Sequence, residues 1–209
     1  MWSTAAAWAR CPSDKMGTLY VLMGKSTAGK DSLYRRLKED SDIALIPVIP
    51  YTTRPRREGE EEGVQYHFRT DAEYEAMREE GRILEERTYE TCAGPWHYFT
   101  ADDGQIDLSR GDYLMIGTIA AYTALRDHFG GGVVPLYIEC SDRVRMERAM
   151  RREARQEVPR YDELCRRYLA DEADYSDEAL LAAGITERFA NDDAIENTLE
   201  ALKTYIHGH

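Results

Sequence analysis

Apolar residues along this chain come in blocks whose period changes from one block to the next. Leu19-Tyr20-Val21-Leu22-Met23 is a continuous apolar run, the pattern of a short strand covered on both faces. A Gly-rich turn follows, then a helix-period segment at about 30–39 and a second predicted strand at about 43–49. Residues 53–63 are rich in Arg, Gly and Glu and read as a loop, with a short strand predicted at 64–68. Thr70-Asp71-Ala72-Glu73 has the form of a capping box, opening a helix that stops at Gly81. Strands are predicted at 82–90, 96–100, 112–117 and Val133–Glu139, with a helix at about 118–128 ending in Gly130-Gly131-Gly132. Ser141 is expected to cap a long Arg-rich helix; helices near 161–174 and 177–183, a strand at 187–190 and a last helix from about 193 complete the chain.

Strands alternating with helices imply a three-layer α/β fold: a parallel core sheet covered on both faces, with a β-rich excursion between 50 and 100. Nothing repeats and no Gly/Ser- or Pro-rich linker divides the chain, so residues 16–209 are expected to form one domain. Residues 1–15, rich in Ala, Ser and Thr and without either period, are expected to be a poorly ordered extension, with Met16 as the natural start.

Composition narrows the function. With 27 basic against 39 acidic side chains, and a net charge of −12, the chain lacks the basic face that a general nucleic-acid binder needs. No apolar run approaches the roughly 20 residues of a membrane span, and the opening ten residues do not read as a signal peptide. A cytoplasmic protein is expected. The four cysteines, Cys11, Cys92, Cys140 and Cys165, are scattered and expected to be unpaired, with no metal held by protein ligands alone. The sequence carries no signal of oligomeric state.

The strongest local signal is Gly24-Lys25-Ser26-Thr27-Ala28-Gly29-Lys30, placed between an apolar strand and a helix. It matches the G-x-x-x-x-G-K core of a phosphate-binding loop in its required context. The glycines let backbone N–H groups turn toward phosphate oxygens, the helix N-terminus adds partial positive charge, and Lys30 reaches the β- and γ-phosphates. The motif's usual hydroxyl after the lysine is replaced by Asp31, followed by Ser32. A carboxylate there is either a ligand for Mg²⁺ held mainly by ATP phosphates or a simple helix-start aspartate. Further on, Arg54 and Arg57 stand three apart on a Pro/Gly loop, able to fork around a phosphate with Tyr66 donating its hydroxyl; a solvated charged loop is the alternative.

Here the sequence resembles the guanylate kinase family. That family's T-T-R-x-x-R-x-G-E-x-x-G-x-x-Y-x-F run stands without a gap from Thr52 to Phe68, Ile83-Leu84-Glu85 matches its F-L-E, and Phe189-Ala190-Asn191-Asp192-Asp193 is similar to its closing V-x-N-D-D. The resemblance covers roughly residues 17–206. It implies a P-loop core sheet, an acceptor-binding subdomain at about 50–100 and a helical, Arg-bearing lid at about 143–170. By resemblance, Arg54, Arg57, Tyr66 and Tyr98 hold the acceptor phosphate, Glu85 receives guanine N1 and N2, and Thr100 lies near the base. Asn191 lies near the donor adenine, and Lys30 neutralises charge on the transferred group. Arg148, Arg152 and one of Arg166 or Arg167 close over the phosphates; the 143–167 stretch holds nine arginines and no lysine, and several are expected in solvated pairs such as Glu147–Arg151. The implied activity is ATP- and Mg²⁺-dependent phosphorylation of a nucleoside monophosphate, GMP.

Three departures stand out. Pro50 replaces a serine that touches guanine O6 in the family, Ile116-Gly117-Thr118 replaces an acidic strand end, and Asp102-Asp103-Gly104 interrupts an expected helix. The G-K-D-S stretch also resembles ribose 1,5-bisphosphate phosphokinase, a relative that phosphorylates a sugar phosphate. A non-catalytic guanylate-kinase-like binding module is a third reading.

Overall fold

A computed structural model describes residues 16–91 and 94–209, so the expected extension at 1–15 lies outside the described residues. The elements run β1 (Leu19–Met23), α1 (Lys30–Glu39), β2 (Ile46–Pro47), β3 (Tyr51–Thr52), β4 (His67–Phe68), α2 (Asp71–Glu79), β5 (Ile83–Thr91) and β6 (Gly94–Ala101). They continue with β7 (Tyr113–Ile116), α3 (Ile119–Phe129), a 3-10 turn at Gly130–Gly132, β8 (Val133–Glu139), α4 (Asp142–Glu153) and α5 (Tyr161–Asp174). Last come α6 (Asp177–Ala182), β9 (Arg188–Ala190) and α7 (Ile195–His207).

Five strands form a parallel sheet in the order β2-β7-β1-β8-β9. The central strand β1 is buried along its whole length, and its side chains alternate between two cores. Tyr20 and Leu22 pack with Leu33 and Leu37 of α1 and with Leu202 and Ile206 of α7. Leu19, Val21 and Met23 pack on the other side with Tyr122 and Leu125 of α3 and Leu180 of α6. That alternation is what the two-residue period of a strand demands of a doubly covered sheet, and it makes the fold three-layered α/β. Truncating a fully buried leucine such as Leu22 would cost about 2–5 kcal/mol.

The excursion forms its own four-stranded sheet, ordered β4-β3-β6-β5, with β3 parallel to β4 and antiparallel to β6. Tyr51, Phe99 and Ala101 of this sheet bury Tyr74 and Met77 of α2 in a third core. The Thr70 capping box forms in full: the Thr70 hydroxyl accepts from the Glu73 N–H while the Glu73 carboxylate accepts from the Thr70 N–H.

The chain departs from its sequence pattern in three places. The strand expected at 43–49 is reduced to Ile46–Pro47, because Ile43 and Leu45 reach the core from a turn. Pro47 is tolerated because β2 is an edge strand whose inward N–H groups are those of Ile46 and Val48, donated to Asp112 and Leu114. The strand expected at 64–68 keeps only His67–Phe68, paired with β3, an element the pattern did not show. Finally, Ser141 occupies the cap position of α4, but its hydroxyl donates to Asp192 at 2.7 Å and does not cap the helix.

Candidate functional site

The phosphate loop leaves the carboxyl end of β1. Gly24 and Gly29 have φ of 148° and 100°, and an added Cβ would lie 2.4 Å from the Ile138 carbonyl or 2.3 Å from Asn191 Nδ2. Glycine is therefore required at both positions on grounds of space as well as conformation. Lys30 folds back over the loop and donates to the carbonyls of Gly24 (2.5 Å) and Lys25 (2.9 Å). Burial pulls the Lys30 ammonium below its ordinary pKa; Arg145 and Arg152 push the same way, against Asp31 and Asp171. An incoming polyphosphate would reverse that imbalance by supplying negative charge. Asp31 and Ser32 are exposed on the first turn of α1.

A network from α4 and α5 closes on the same loop. Arg145 is 1% exposed, and its guanidinium bonds Asp142 (3.1 Å), Asp171 (3.1 Å) and Glu172 (2.7 Å) as well as the Ser26 carbonyl (3.2 Å). Its face lies over the Tyr168 ring. Asp171 accepts the Ser26 N–H at 2.8 Å, and Glu172 pairs with Lys25 at 2.6 Å. From the opposite side, Asn191 Nδ2 donates to the Ala28 carbonyl at 2.6 Å, and its Oδ1 accepts from Thr198 at 3.1 Å. The Asn191 amide thus holds the loop itself. Arg148 reaches the Asn191 carbonyl at 3.0 Å and the Cys140 sulfur at 3.5 Å, while Arg152 lies exposed yet near enough to Lys30 to act on its charge.

The second face belongs to the smaller sheet. Arg54 is buried and bonds both oxygens of Glu60, at 2.7 and 2.5 Å. The pairing holds the Glu60 carboxyl down to about 2. The guanidinium lies 5.0 Å over the Tyr66 ring, which meets Tyr98 edge-on. Arg57 is exposed, so the two arginines of the loop do not form a ready fork: one is built into the sheet and the other is free in solvent. On β5, Glu85 is 7% exposed; its Oε1 accepts from Thr100 at 2.8 Å, while its Oε2 is buried without a partner. Burial raises the Glu85 pKa, with Arg87 and Thr100 opposing.

Tyr175 joins the two faces. Its ring is packed in the core with Met23, its hydroxyl lies against the Gly24 N–H, and Arg87 is close enough to act on it electrostatically. Arg166 and Arg167 stand apart from this assembly: Arg166 directs its fork to Glu163 at 2.8 and 2.7 Å in solvent, and Arg167 contacts the same residue. Glu147 pairs with Arg143 and Arg151 on the outer face of α4, as i,i+4 spacing suggests.

Sequence reasoning missed Arg145, Asp171 and Glu172. Arg145, Arg148 and Arg152 share one helix face at spacings of three and four, a signal that was available and hidden among nine arginines. The acids of α5 carry no such mark. Among the described residues no group of three His, Cys, Asp or Glu side chains is placed to hold a metal, and no helix is long and apolar enough to cross a membrane.

Comparison with known proteins fits this geometry. Residues 16–93 match the family model described as guanylate kinase. A guanylate kinase of Granulibacter bethesdensis is 37% identical over 131 residues, covering 59% of this chain and 57% of that protein. One from Mesorhizobium japonicum is 46% identical over 71 residues, 34% of this chain and 32% of its own length. The matched stretches thus span about half, or less, of these relatives. The crystal structure of guanylate kinase from Anaplasma phagocytophilum shares the fold at a TM-score of 0.58 and 19% identity, covering 92% of this chain and 86% of that one. Residues 16–93 are thus similar to the guanylate kinase family, and the chain as a whole shares the fold of a solved guanylate kinase.

Proposed function

We propose that this chain transfers the γ-phosphoryl group of ATP to GMP, giving ADP and GDP. The observation that carries the reading is the buried carboxylate of Glu85. It keeps one oxygen open on the face that also holds Arg54, Tyr66 and Tyr98, and that face is joined through Tyr175 to the phosphate loop. A carboxylate buried at that cost suits a base with two adjacent N–H donors in fixed, coplanar geometry.

The reaction needs no covalent intermediate. An oxygen of the acceptor phosphate attacks the γ-phosphorus in line as the bond to the β-phosphate oxygen breaks. The residues position the two ends and meet the charge spread over the equatorial oxygens. In this reading the backbone of Gly24–Gly29 cradles the donor phosphates, and Lys30 exchanges the carbonyls of Gly24 and Lys25 for phosphate oxygens. Arg148 and Arg152 supply positive charge from the lid side. Arg54, Arg57, Tyr66 and Tyr98 hold the acceptor phosphate, and Glu85 with Thr100 holds the base. Arg166 and Arg167 would need a movement of α5 to take part.

Magnesium fits the residues present as an ion held mainly by ATP. Asp31 offers one exposed carboxylate beside Lys30, enough to complete the shell of a phosphate-bound cation. When bound, the ion neutralises donor-phosphate charge. Asp31→Ser should lower turnover and shift its magnesium titration to higher concentration; an unchanged titration would remove Asp31 from that role. Cys140 and Cys165 are free thiols, in keeping with a cytoplasmic enzyme.

The deciding assay is ADP formation from ATP–Mg²⁺ with GMP, dGMP, AMP, CMP, UMP and ribose 1,5-bisphosphate offered separately. Preference for GMP is the expected outcome. Turnover with the sugar bisphosphate alone would transfer the chain to that sister activity, and ATP binding without turnover on any acceptor would make it a binding module.

A further inference from the structure

The acceptor face holds two buried polar atoms without a partner, Oε2 of Glu85 and Nε of Arg87. They belong to residues two apart on β5, which therefore point to the same side of the sheet. Across the ladder Glu85 pairs with Thr100 and Arg87 with Tyr98, so all four belong to one patch. Arg87 Nε and Glu85 Oε2 are 3.9 Å apart, too far for a hydrogen bond between them. An unmet acceptor and an unmet donor, side by side and shielded from water, are costly unless a ligand meets both.

Neither of the two family base-contact positions altered in this chain carries a donor on this patch of β5 and β6. Pro50 has no N–H, and the Thr118 hydroxyl oxygen is held at the start of α3, where it accepts the Ala121 N–H. Arg87 is thus the donor set next to the base-reading carboxylate. Guanine presents two adjacent donors, N1–H and N2–H, flanked by the acceptor O6. Adenine, cytosine and uracil do not present that order.

We propose that Arg87 is a specificity-determining residue: it donates to the carbonyl acceptor of the base while Glu85 receives the two neighbouring N–H groups. The inference rests on the nucleotide-acceptor reading given above. It assigns to this arginine the O6 contact that Pro50 is unable to make. The pairing also places the base against a charge-balanced couple, which spares it a lone buried anion.

The test is a set of binding measurements on the unaltered protein and on Arg87→Ala with three nucleotides. GMP has O6 and the N2 amino group, IMP keeps O6 alone, and 2-aminopurine riboside 5′-monophosphate keeps the amino group alone. Its fluorescence reports binding directly, and calorimetry serves the other two. Arg87→Ala should weaken GMP and IMP by roughly ten- to a hundredfold and the 2-aminopurine nucleotide by less than about threefold. Arg87→Lys, which retains a donor, should recover part of the loss, and an unchanged melting temperature shows that the fold survives. Equal losses for all three nucleotides would place Arg87 on the phosphate or in the fold and overturn the inference. No loss for GMP would overturn it as well. Failure of the unaltered protein to bind GMP at all would instead overturn the acceptor reading on which it stands.

Discussion

The phosphate loop and the acceptor face are satisfied to opposite degrees. Around the loop, the chain answers its own polar groups: Lys30 bonds loop carbonyls, Asp171 takes the Ser26 N–H, and Asn191 holds the Ala28 carbonyl. On the acceptor face, Glu85 and Arg87 each keep a buried atom unanswered. A donor polyphosphate is recognised by charge and by backbone N–H groups, which any part of the chain can imitate while the ligand is absent. A base is told apart by the order of donors and acceptors on its edge, and a site that imitated that order internally would have nothing left to read with.

The hardest test of this contrast is Lys30→Ala. If its ammonium meets the transferred charge as proposed, turnover should fall by about a hundredfold or more while GMP affinity stays within about twofold. Steady-state kinetics with a separate GMP titration would show it, and a matched loss of GMP affinity would mean the two faces are one site energetically. Next in size is Arg145→Met. It leaves Asp171 and Glu172 without their buried counter-charge, and because Glu172 is partly solvated the loss should sit near the low end, about 3 kcal/mol. Urea unfolding measures it; a neutral result would show that the network is peripheral.

Glu85→Gln should behave in reverse, losing function while gaining stability. Catalytic efficiency for GMP should drop roughly ten- to a hundredfold. Burial raises the Glu85 pKa, so the folded state holds this proton more tightly than the unfolded state does. The carboxyl's contribution is therefore full below its unfolded value of about 4.3 and is lost as pH rises through the higher folded value. Glu85→Gln should melt higher than the unaltered protein at pH 7 and at about the same temperature near pH 4. The smallest effect expected is from Asn191→Ala: about 1–2 kcal/mol of stability, with KM for ATP rising a few-fold and KM for GMP unmoved.

What could be read from the sequence followed from contiguity. The loop at 24–30 and the run from Thr52 to Phe68 each carry their chemistry in consecutive residues, because a tight backbone turn and a Pro/Gly loop impose it locally. The long helices and the buried strands β1 and β8 were legible for the same reason. The two-residue strands β3 and β4 were not, since their pairing is decided by partners from distant parts of the chain. Arg145 was hidden because a buried arginine and a solvated one look alike in an Arg-rich helix; only the acids that α5 brings to it separate them. The Arg54 and Arg57 pair shows the same limit. Equal residues three apart suggest equal roles, yet Glu60, six positions on, claims one of them.

The tether from Asn191 to Ala28 also has a consequence for how the protein comes into being. Translation delivers Ala28 163 residues before Asn191, and the Thr198 that orients Asn191 later still. The loop therefore lacks this brace until residues 191 and 198 have both left the ribosome. A chain stopped short of them holds the glycines and the lysine without the hydrogen bond that fixes the Ala28 carbonyl.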